Sequence, residues 1–231
     1  MITKKDILVV LPAYNEATHL RTICEEIKAL EFPNICIVND GSTDETGHIV
    51  FDSSVVVLHH IINRGVGAAT DTGLKYAKQK NYKAVITLDA DGQHKTSDID
   101  VLFEKYQNTQ ADLIIGNRFL LASNQIPYSR KLFNKVANIF TGMYAEKFIS
   151  DTQSGIKLFS EKAIRAIQID TDGYEFCSEI IIKASQQQLQ IVEVPVHVYY
   201  TSYSMAKGQG LWMGFKTVFN LFANLLVRDK D

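Results

Sequence analysis

The sequence of 231 residues is poor in cysteine and proline and carries almost no net charge. Its three cysteines, Cys24, Cys36 and Cys177, are an odd number without close spacing, which fits neither a disulfide framework nor a zinc site. A net charge of −2 gives no general attraction for a polyanion, so nucleic acid is not an expected partner. This cysteine usage fits a reducing cytosol best.

Long apolar runs are also lacking. The run at residues 7–11 ends at Pro12 and is too short for the core of a signal peptide. The longest apolar stretch, near the C-terminus, is interrupted by Lys216, Asn220 and Asn224, whereas a membrane-spanning helix needs about 20 mostly apolar residues. We therefore expect a cytoplasmic protein, with any membrane contact at the inner face of the membrane.

The sequence does contain a repeated alternation of apolar runs and helical patterns. Runs at 7–11, 35–38, 55–60 and 84–89 are followed by helical patterns at 17–30, from 43, at 67–80 and at 96–107. Four β-then-α units in succession predict an α/β fold with a mostly parallel sheet and helices on both faces. Further strands are expected at 113–116, 156–159 and 191–198, and helices at 129–147 and 176–187. No linker divides the chain, so we expect a single domain over 1–231.

Two aspartates, Asp89 and Asp91, stand at the predicted end of the fourth strand. Residues i and i+2 of an extended segment point to the same side, so both carboxylates can face one cation. Oxygen ligands suit Mg²⁺ or Mn²⁺ shared with substrate phosphates, and the amide oxygen of Gln93 is spaced to join them. The alternative for an isolated pair of this kind is a solvated Asp-Gly turn.

Polar residues also follow the first two predicted strands. Asp40 can accept a hydrogen bond from a base or a ribose, or it can simply cap the next turn. Pro12 and Tyr14 form a stiff, flat shelf suited to a nucleobase. Glu16 either belongs to the same site or only opens the first helix.

A glycine pair, Gly65 and Gly67, follows the third predicted strand. It lacks the full glycine spacing of a dinucleotide fingerprint and the acidic residue about 20 positions later, so NAD or FAD is not an expected cofactor. These glycines are instead expected to let the chain pass tightly from strand to helix beside a bound nucleotide.

Cationic and acidic side chains in the second half offer further candidates. Arg118 and Arg130 can neutralise a diphosphate or a phosphorylated acceptor. Lys207 lies in a segment of small residues, and this segment could close over a phosphate. Glu179, on a predicted helix, and Asp151, in a polar loop, are candidate bases, although helical glutamates are usually only solubilising.

Residues 211–227 follow the spacing of an amphipathic C-terminal helix with an apolar stripe. Three explanations stay open for that stripe: packing on the core of the same domain, contact with a membrane interface, and contact with another subunit in a homo-oligomer.

The strand-end motifs, in this order, closely resemble those of family 2 glycosyltransferases, above all the branch that makes polyprenyl- or dolichyl-phosphate sugars. The resemblance covers about residues 7–207 and rests on LPAYNE (11–16), VNDGSTD (38–44), NRGVGAA (63–69), LDADGQH (88–94), GNRF (116–119), DTQSGIKLF (151–159) and EVPV (193–196). Two positions depart from the pattern: Asn39 replaces the usual first acid of the second strand, and Ser204 is separated from Lys207.

The resemblance implies a GT-A fold, a nucleotide-sugar donor, and a lipid-phosphate or saccharide acceptor. It also implies residue roles: the nucleoside is held by Pro12, Tyr14, Glu16 and Asp40, the metal and diphosphate by Asp89, Asp91 and Gln93, the phosphates by Arg118 and Lys207, and the acceptor phosphate by Arg130.

These roles predict an inverting, metal-dependent hexosyltransferase. A lipid phosphate monoester, with a second pKa of about 6, is mostly a dianion at neutral pH and needs no protein base. A sugar hydroxyl needs one, and Glu179 or Asp151 would then serve. Two other classes stay open: an aspartate-nucleophile phosphatase and a nucleotide-sugar-binding module without turnover.

Overall fold

The apolar runs of the sequence form one seven-stranded sheet in the computed structural model, which describes residues 2–49 and 51–200. The strands are β1 Ile7–Ala13, β2 Ile35–Asn39, β3 Val55–His59, β4 Ala84–Thr87, β5 Leu113–Asn117, β6 Lys157–Ser160 and β7 Ile191–Pro195. Their order across the sheet is β3-β2-β1-β4-β6-β5-β7, and only β6 runs against the others. The predicted mostly parallel sheet is confirmed.

Six α-helices connect these strands, and they lie on both faces of the sheet. They are α1 Ala17–Ala29, α2 Val66–Gln79, α3 Asp98–Thr109, α4 Tyr128–Ala145, α5 Glu161–Ala166 and α6 Phe176–Gln186. Alternate residues of β1 divide the core, because Val9 packs with α1 and α3 whereas Val10 packs with α2, α5 and α6. Strands β1, β2, β4 and β5 are buried on both faces, as their continuous apolar runs predict, whereas the edge strands β3 and β7 are only partly buried.

The structure differs from the sequence expectations mainly in short elements. The helix expected from residue 43 is only a 3-10 turn, Glu45–His48, which begins where the Asp44 side chain accepts a hydrogen bond from the Thr46 amide. Helix α5 was not predicted, because its six residues are too few to show a helical period. The expected helix at 211–227 lies outside the described residues, and the single-domain organisation over 1–231 stays a prediction.

Within the described part of the chain, no helix is both long enough and apolar enough to cross a bilayer.

Candidate active site

A cavity of about 530 Å³ lies beyond the carboxyl ends of β1, β2 and β4. This is the edge at which open parallel sheets bind their ligands. Nine of the twelve side chains proposed for the site from the sequence line this cavity: Pro12, Tyr14, Glu16, Asp40, Asp89, Asp91, Gln93, Arg118 and Arg130. Asp40 therefore shares one cavity with the pair Asp89 and Asp91, as the sequence interpretation required.

Asp89 and Asp91 lie in the loop that follows β4. Burial, and then the negative charge of Asp91, raises the pKa of Asp89 to about 7. Gly155 packs directly against Asp89, and a β-carbon added there would overlap the carboxylate oxygens. Two partly buried carboxylates whose charges interact are an arrangement that a cation stabilises.

Lys157, on β6, is a buried cation behind this loop. Its Nζ donates to the Ser154 carbonyl oxygen and lies 3.5 Å from the Cys177 Sγ and 5.6 Å from the centroid of the Phe176 ring. Its positive charge partly opposes the rise in the pKa of Asp89.

The donor set at the acid pair fits a hard divalent cation that is shared with a substrate. Among residues 2–49 and 51–200 no group of three His, Cys, Asp or Glu side chains could hold a metal. Two carboxylates would therefore leave coordination positions for phosphate oxygens and water, as Mg²⁺ and Mn²⁺ sites commonly do. The Gln93 amide nitrogen lies 2.5 Å from Asp91 Oδ2, so Gln93 touches this acid through a donor rather than through an oxygen ligand.

Asp40 organises the loop that follows β3. Its Oδ1 accepts from His60 Nδ1 at 2.6 Å and from the Arg64 amide at 3.0 Å, and its Oδ2 accepts from the Gly65 amide at 2.7 Å. His60 Nε2 in turn lies 2.9 Å from the Thr72 hydroxyl of α2. The buried carboxylate of Asp40 thus holds the loop after β3 against the end of β2, at the wall of the cavity.

The loop after β1 is tied to the loop after β2. Asn15 has a positive φ of 55°, a conformation that Asn tolerates better than most residues. Its Oδ1 accepts from the Thr43 amide at 2.8 Å, and its own amide donates to Ser42 Oγ at 3.0 Å. These bonds hold Tyr14 and Glu16 at the cavity.

The two glycines after β3 make room for a contact that the sequence does not show. A β-carbon at Gly65 would collide with the Asp172 carbonyl, and one at Gly67 with the Thr171 carbonyl. The Asp172 carbonyl also accepts from the Gly67 amide at 2.8 Å. The glycines therefore admit this distant segment to the start of α2, and Gly65, with a φ of 117°, also provides the tight strand-to-helix passage that we expected.

Arg118 reaches the cavity while paired with Asp151. Its Nε and Nη2 donate to the two oxygens of Asp151 at 2.8 and 2.7 Å, and Asn134 donates to the same carboxylate at 3.1 Å. Burial disfavours the charge of Arg118, but the pairing with Asp151 outweighs it and raises the pKa of the guanidinium. Asp151 is fully buried and occupied by these donors, so it is not placed to act as a base.

Glu179 is not brought to the cavity. Its Oε1 accepts from the Asp170 amide at 2.9 Å and pairs with Lys183 Nζ at 2.6 Å, while its Oε2 accepts from the Thr171 amide at 3.0 Å. The carboxylate therefore supports the segment that packs on α2. Lys207, the remaining candidate, lies outside the described residues.

Several residues of the cavity were missed in the sequence: Phe133, Asn134, Gln153, Tyr174, Phe176, Cys177 and Tyr200. Burial, and then the charges of Asp89 and Asp91, raises the pKa of Tyr174, which favours a neutral phenol able to donate a hydrogen bond. No motif marks Tyr174 or Tyr200. The backbone amide of Tyr199 donates to the Gln93 carbonyl at 2.8 Å, which holds the chain after β7 against the loop that contains Asp89 and Asp91. This contact brings the next residue, Tyr200, to the cavity.

Comparisons with known proteins are consistent with this geometry. The family described as Glycosyl transferase family 2 matches residues 8–167. A UDP-N-acetylglucosamine–dolichyl-phosphate N-acetylglucosaminyltransferase from Methanococcus voltae is 32% identical over 238 residues, covering 94% of this chain and 95% of its own length. An undecaprenyl-phosphate mannosyltransferase from Micrococcus luteus is 27% identical over 201 residues and covers 82% of both chains.

Solved structures share the fold. Glucosyl-3-phosphoglycerate synthase from Mycobacterium tuberculosis, in complex with Mn²⁺, UDP and glucosyl-3-phosphoglycerate, superposes with a TM-score of 0.73 at 17% identity. The match covers 96% of this chain and 79% of that one. At this identity the likeness is one of fold alone.

Proposed function

This chain belongs to glycosyltransferase family 2, and on that premise we propose that it moves a sugar, with inversion, from a UDP- or GDP-sugar to a polyprenyl or dolichyl phosphate. The observation that carries the proposal is the convergence of Asp40, Asp89 and Asp91 on one cavity that also contains Arg118 and Arg130. Four acids, Glu16 included, and two arginines around a space of about 530 Å³ suit a nucleoside diphosphate that is accompanied by a divalent cation.

The donor side of the cavity is built by β1 and β2. Tyr14 offers a partly exposed ring for a nucleobase, and Pro12 lies beside it on a strand. The carboxylate of Asp40 is occupied by donors of the 60–65 loop, so its proposed role is to shape the nucleoside pocket. A divalent cation at Asp89 and Asp91 would stabilise the negative charge that develops on the departing diphosphate.

The acceptor side is cationic. Arg118 is oriented by Asp151, and Arg130 stands in the first turn of α4 at the cavity wall. Both can receive a phosphate, and Arg binds phosphate with more than one donor. A dianionic lipid phosphate can attack the anomeric carbon without giving up a proton, so the reaction needs no protein base.

The alternative acceptor, a sugar hydroxyl, requires a carboxylate that is free to take a proton. Of the two bases considered from the sequence, Asp151 is fully engaged by Arg118 and Asn134, and Glu179 is bonded outside the cavity. This arrangement supports the phosphate acceptor.

The donor and the metal are proposed from the relatives. The relative from Methanococcus voltae carries a UDP-sugar in its name, which makes UDP-N-acetylglucosamine the first donor to test. A neighbour of the same fold was solved with Mn²⁺, so Mn²⁺ is the first ion to test and Mg²⁺ the second. We also propose action at the inner face of the membrane, and homo-oligomerisation stays a prediction.

The decisive experiment incubates the protein with a panel of UDP- and GDP-sugars and Mn²⁺ or Mg²⁺, with and without polyprenyl phosphate in detergent. It measures released nucleoside diphosphate and lipid-linked sugar. We expect both products only when lipid phosphate and metal are present. Donor-dependent thermal stabilisation without either product would instead indicate a binding module, and a stable phosphoaspartate would indicate a phosphatase.

Two matched variants test the acid pair in the same assay. Asp91→Asn removes one proposed ligand and should lower turnover roughly 100-fold or more, because the leaving group loses its charge stabilisation. Asp100→Asn, in the first turn of α3, removes a half-buried acid that pairs with Lys4 and does not line the cavity, and it should leave turnover unchanged. Equal turnover in both variants would contradict the assignment.

A further inference from the structure

Helix α4 has its polar side buried and its apolar side exposed. The buried residues include Asn134, Asn138 and Thr141. The exposed large residues are Tyr128, Leu132, Ile139 and Met143, with exposed fractions of 81%, 50%, 53% and 68%. The four lie at spacings of four, seven and four residues, which puts them on one face of the helix.

The buried polar face fixes the helix in this orientation. Asn134 donates to Asp151 at 3.1 Å, Asn138 donates to the Ser150 carbonyl at 2.6 Å, and Thr141 donates to Ser178 at 2.8 Å. Buried polar groups that are satisfied in this way are costly to expose, so α4 cannot turn its apolar face inward. That face is called here the outer stripe, defined by Tyr128, Leu132, Ile139 and Met143.

The charges within α4 beside the outer stripe are positive. Lys131 and Lys135 are exposed on the same side of α4, and Tyr128–Ala145 contains no Asp or Glu; the exposed Glu146, which caps the helix, is followed directly by the exposed Lys147. Phe148, just beyond the helix, is a further exposed apolar side chain, at 78%. Apolar residues with lysines alongside are typical of a surface that lies in the interface of an anionic bilayer, because the apolar tips enter the acyl boundary while the lysines reach the headgroups.

A second copy of this chain fits the outer stripe less well. Two such faces packed together would bring Lys131 and Lys135 of both copies into one interface, where their charges are costly to desolvate.

The outer stripe lies on the same helix as part of the cavity wall, so its position is relevant to the function of the cavity. Arg130, Phe133 and Asn134 line the cavity from the same helix. A bilayer that met the outer stripe would thus lie beside the cationic side of the cavity, where a phosphate at the membrane surface is available while its hydrocarbon chain stays in lipid.

We propose that the outer stripe of α4, with Lys131 and Lys135, docks the protein on an anionic lipid bilayer beside the cavity. This inference deepens the proposed function and rests on it for its purpose, but the docking itself requires no catalysis.

The first test measures flotation of the full chain with vesicles of phosphatidylcholine alone and with a third of phosphatidylglycerol, without any nucleotide sugar. We expect binding to the anionic vesicles only. K131Q/K135Q should lower the partition coefficient about 30-fold, the effect of losing two lysines at about 1 kcal/mol each. K75Q/K78Q, on exposed positions of α2, removes the same charge elsewhere and should leave the partition coefficient within about threefold of the wild type.

The apolar contribution is tested with L132D/I139D, which should lower the partition coefficient at least about tenfold. The variant loses two apolar side chains that would enter the bilayer, and it gains two negative charges that the anionic lipid repels. Lys78→Glu changes the net charge by the same amount on α2 and serves as its control. Wild-type protein that does not bind, or an L132D/I139D variant that binds as well as K78E, overturns the proposal.

A second experiment identifies what covers the outer stripe. Leu132→Cys is labelled with an environment-sensitive fluorophore, and Lys78→Cys serves as the labelled control. We expect a water-like emission in dilute solution and a blue shift on anionic vesicles for position 132 only. A label that is already shielded in the dilute monomer would mean that another part of the same chain covers the stripe. A label that is shielded only when light scattering shows a dimer would mean that a second copy covers it. Either result overturns the proposal.

Failure of the proposed function is distinguishable from failure of this inference. The flotation result does not depend on a donor, and a short-chain soluble acceptor phosphate lets transfer be measured without membranes. If L132D/I139D keeps its activity on the soluble acceptor but loses vesicle binding, the docking surface is supported separately from the catalytic site.

Discussion

Arg118 and Asp151 form a two-bond fork, with Nε 2.8 Å from Oδ2 and Nη2 2.7 Å from Oδ1, and the Arg118 amide donates to the same carboxylate at 2.9 Å. The fork joins the end of β5 to the loop before β6 and leaves the guanidinium at the cavity wall. This geometry indicates that Asp151 orients Arg118, and a substitution of Asp151 tests that role.

Asp151→Asn should lower both stability and activity. A buried guanidinium would lose its countercharge, which typically costs about 3–5 kcal/mol of unfolding free energy. Turnover should fall by roughly 100-fold, because Arg118 would no longer be held at the phosphate. Urea unfolding and nucleotide release measure the two effects. Glu161→Gln, which removes a carboxylate from exposed ion pairs with Lys83 and Arg165, is the control and should change neither. A stable, active Asp151→Asn variant would contradict the role of the fork.

Gly155→Ala should reduce turnover while the protein still folds. The added methyl group would occupy the space of the Asp89 carboxylate and displace it from its position beside Asp91. Loss of activity together with a weaker dependence on added Mn²⁺ is the expected result.

Gly142→Ala is the matched control for this change. A β-carbon at Gly142 meets only the Lys147 carbonyl, at 3.5 Å, and Ala favours a helix interior by up to about 1 kcal/mol over Gly. We expect full activity and a slightly higher melting temperature. Full activity in Gly155→Ala as well would show that the close contact with Asp89 has no functional importance.

Glu179→Gln should affect stability more than chemistry. The amide has a single acceptor oxygen, so it cannot accept from the Asp170 and Thr171 amides together, and it loses the charge that pairs with Lys183; a loss of about 1–3 kcal/mol of unfolding free energy is expected. Turnover at saturating donor should fall far less than the roughly 100- to 10,000-fold that accompanies loss of a base. Near-total loss of turnover with unchanged donor binding would mean that the acceptor needs a base after all.

The native protein should resist thiol reagents. All three cysteines are buried, and burial raises the pKa of Cys24 and Cys36 from 9.0 to about 12 and also raises the pKa of Cys177. The thiolate is the reactive form, so alkylation at pH 8 should be negligible in the folded state and should reach three groups after unfolding. Mass spectrometry gives the count.

The same pKa values have a consequence for stability. Because folding favours the protonated thiols, their contribution is fully present below pH about 9 and is lost as the pH rises towards 12. Rapid alkylation of a native cysteine would show that the core around it opens readily.

The sheet was predictable because most of its inner strands are buried on both faces and therefore appear as continuous apolar runs. The position of the site was predictable as well, since strands that run in parallel end at one edge and bring their following residues together. Asp40 and Asp89 are 49 positions apart in the sequence, yet both line one cavity. Tyr174 and Tyr200 were not predictable, because no motif surrounds them and only the packing of their segments brings them to the cavity.

The sequence by itself determined which side chains stand at the strand ends, because apolar periodicity and residue order are local properties. Only the tertiary structure decided what those side chains are free to do. Asp151 and Glu179 look alike as candidate bases in the sequence, but the first is taken by Arg118, 33 positions away, and the second by its own helix and the 170–171 segment. A carboxylate can act as a base only when one of its oxygens is left accessible to the substrate, and the donors that occupy Asp151 and Glu179 come largely from residues that the chain brings together when it folds.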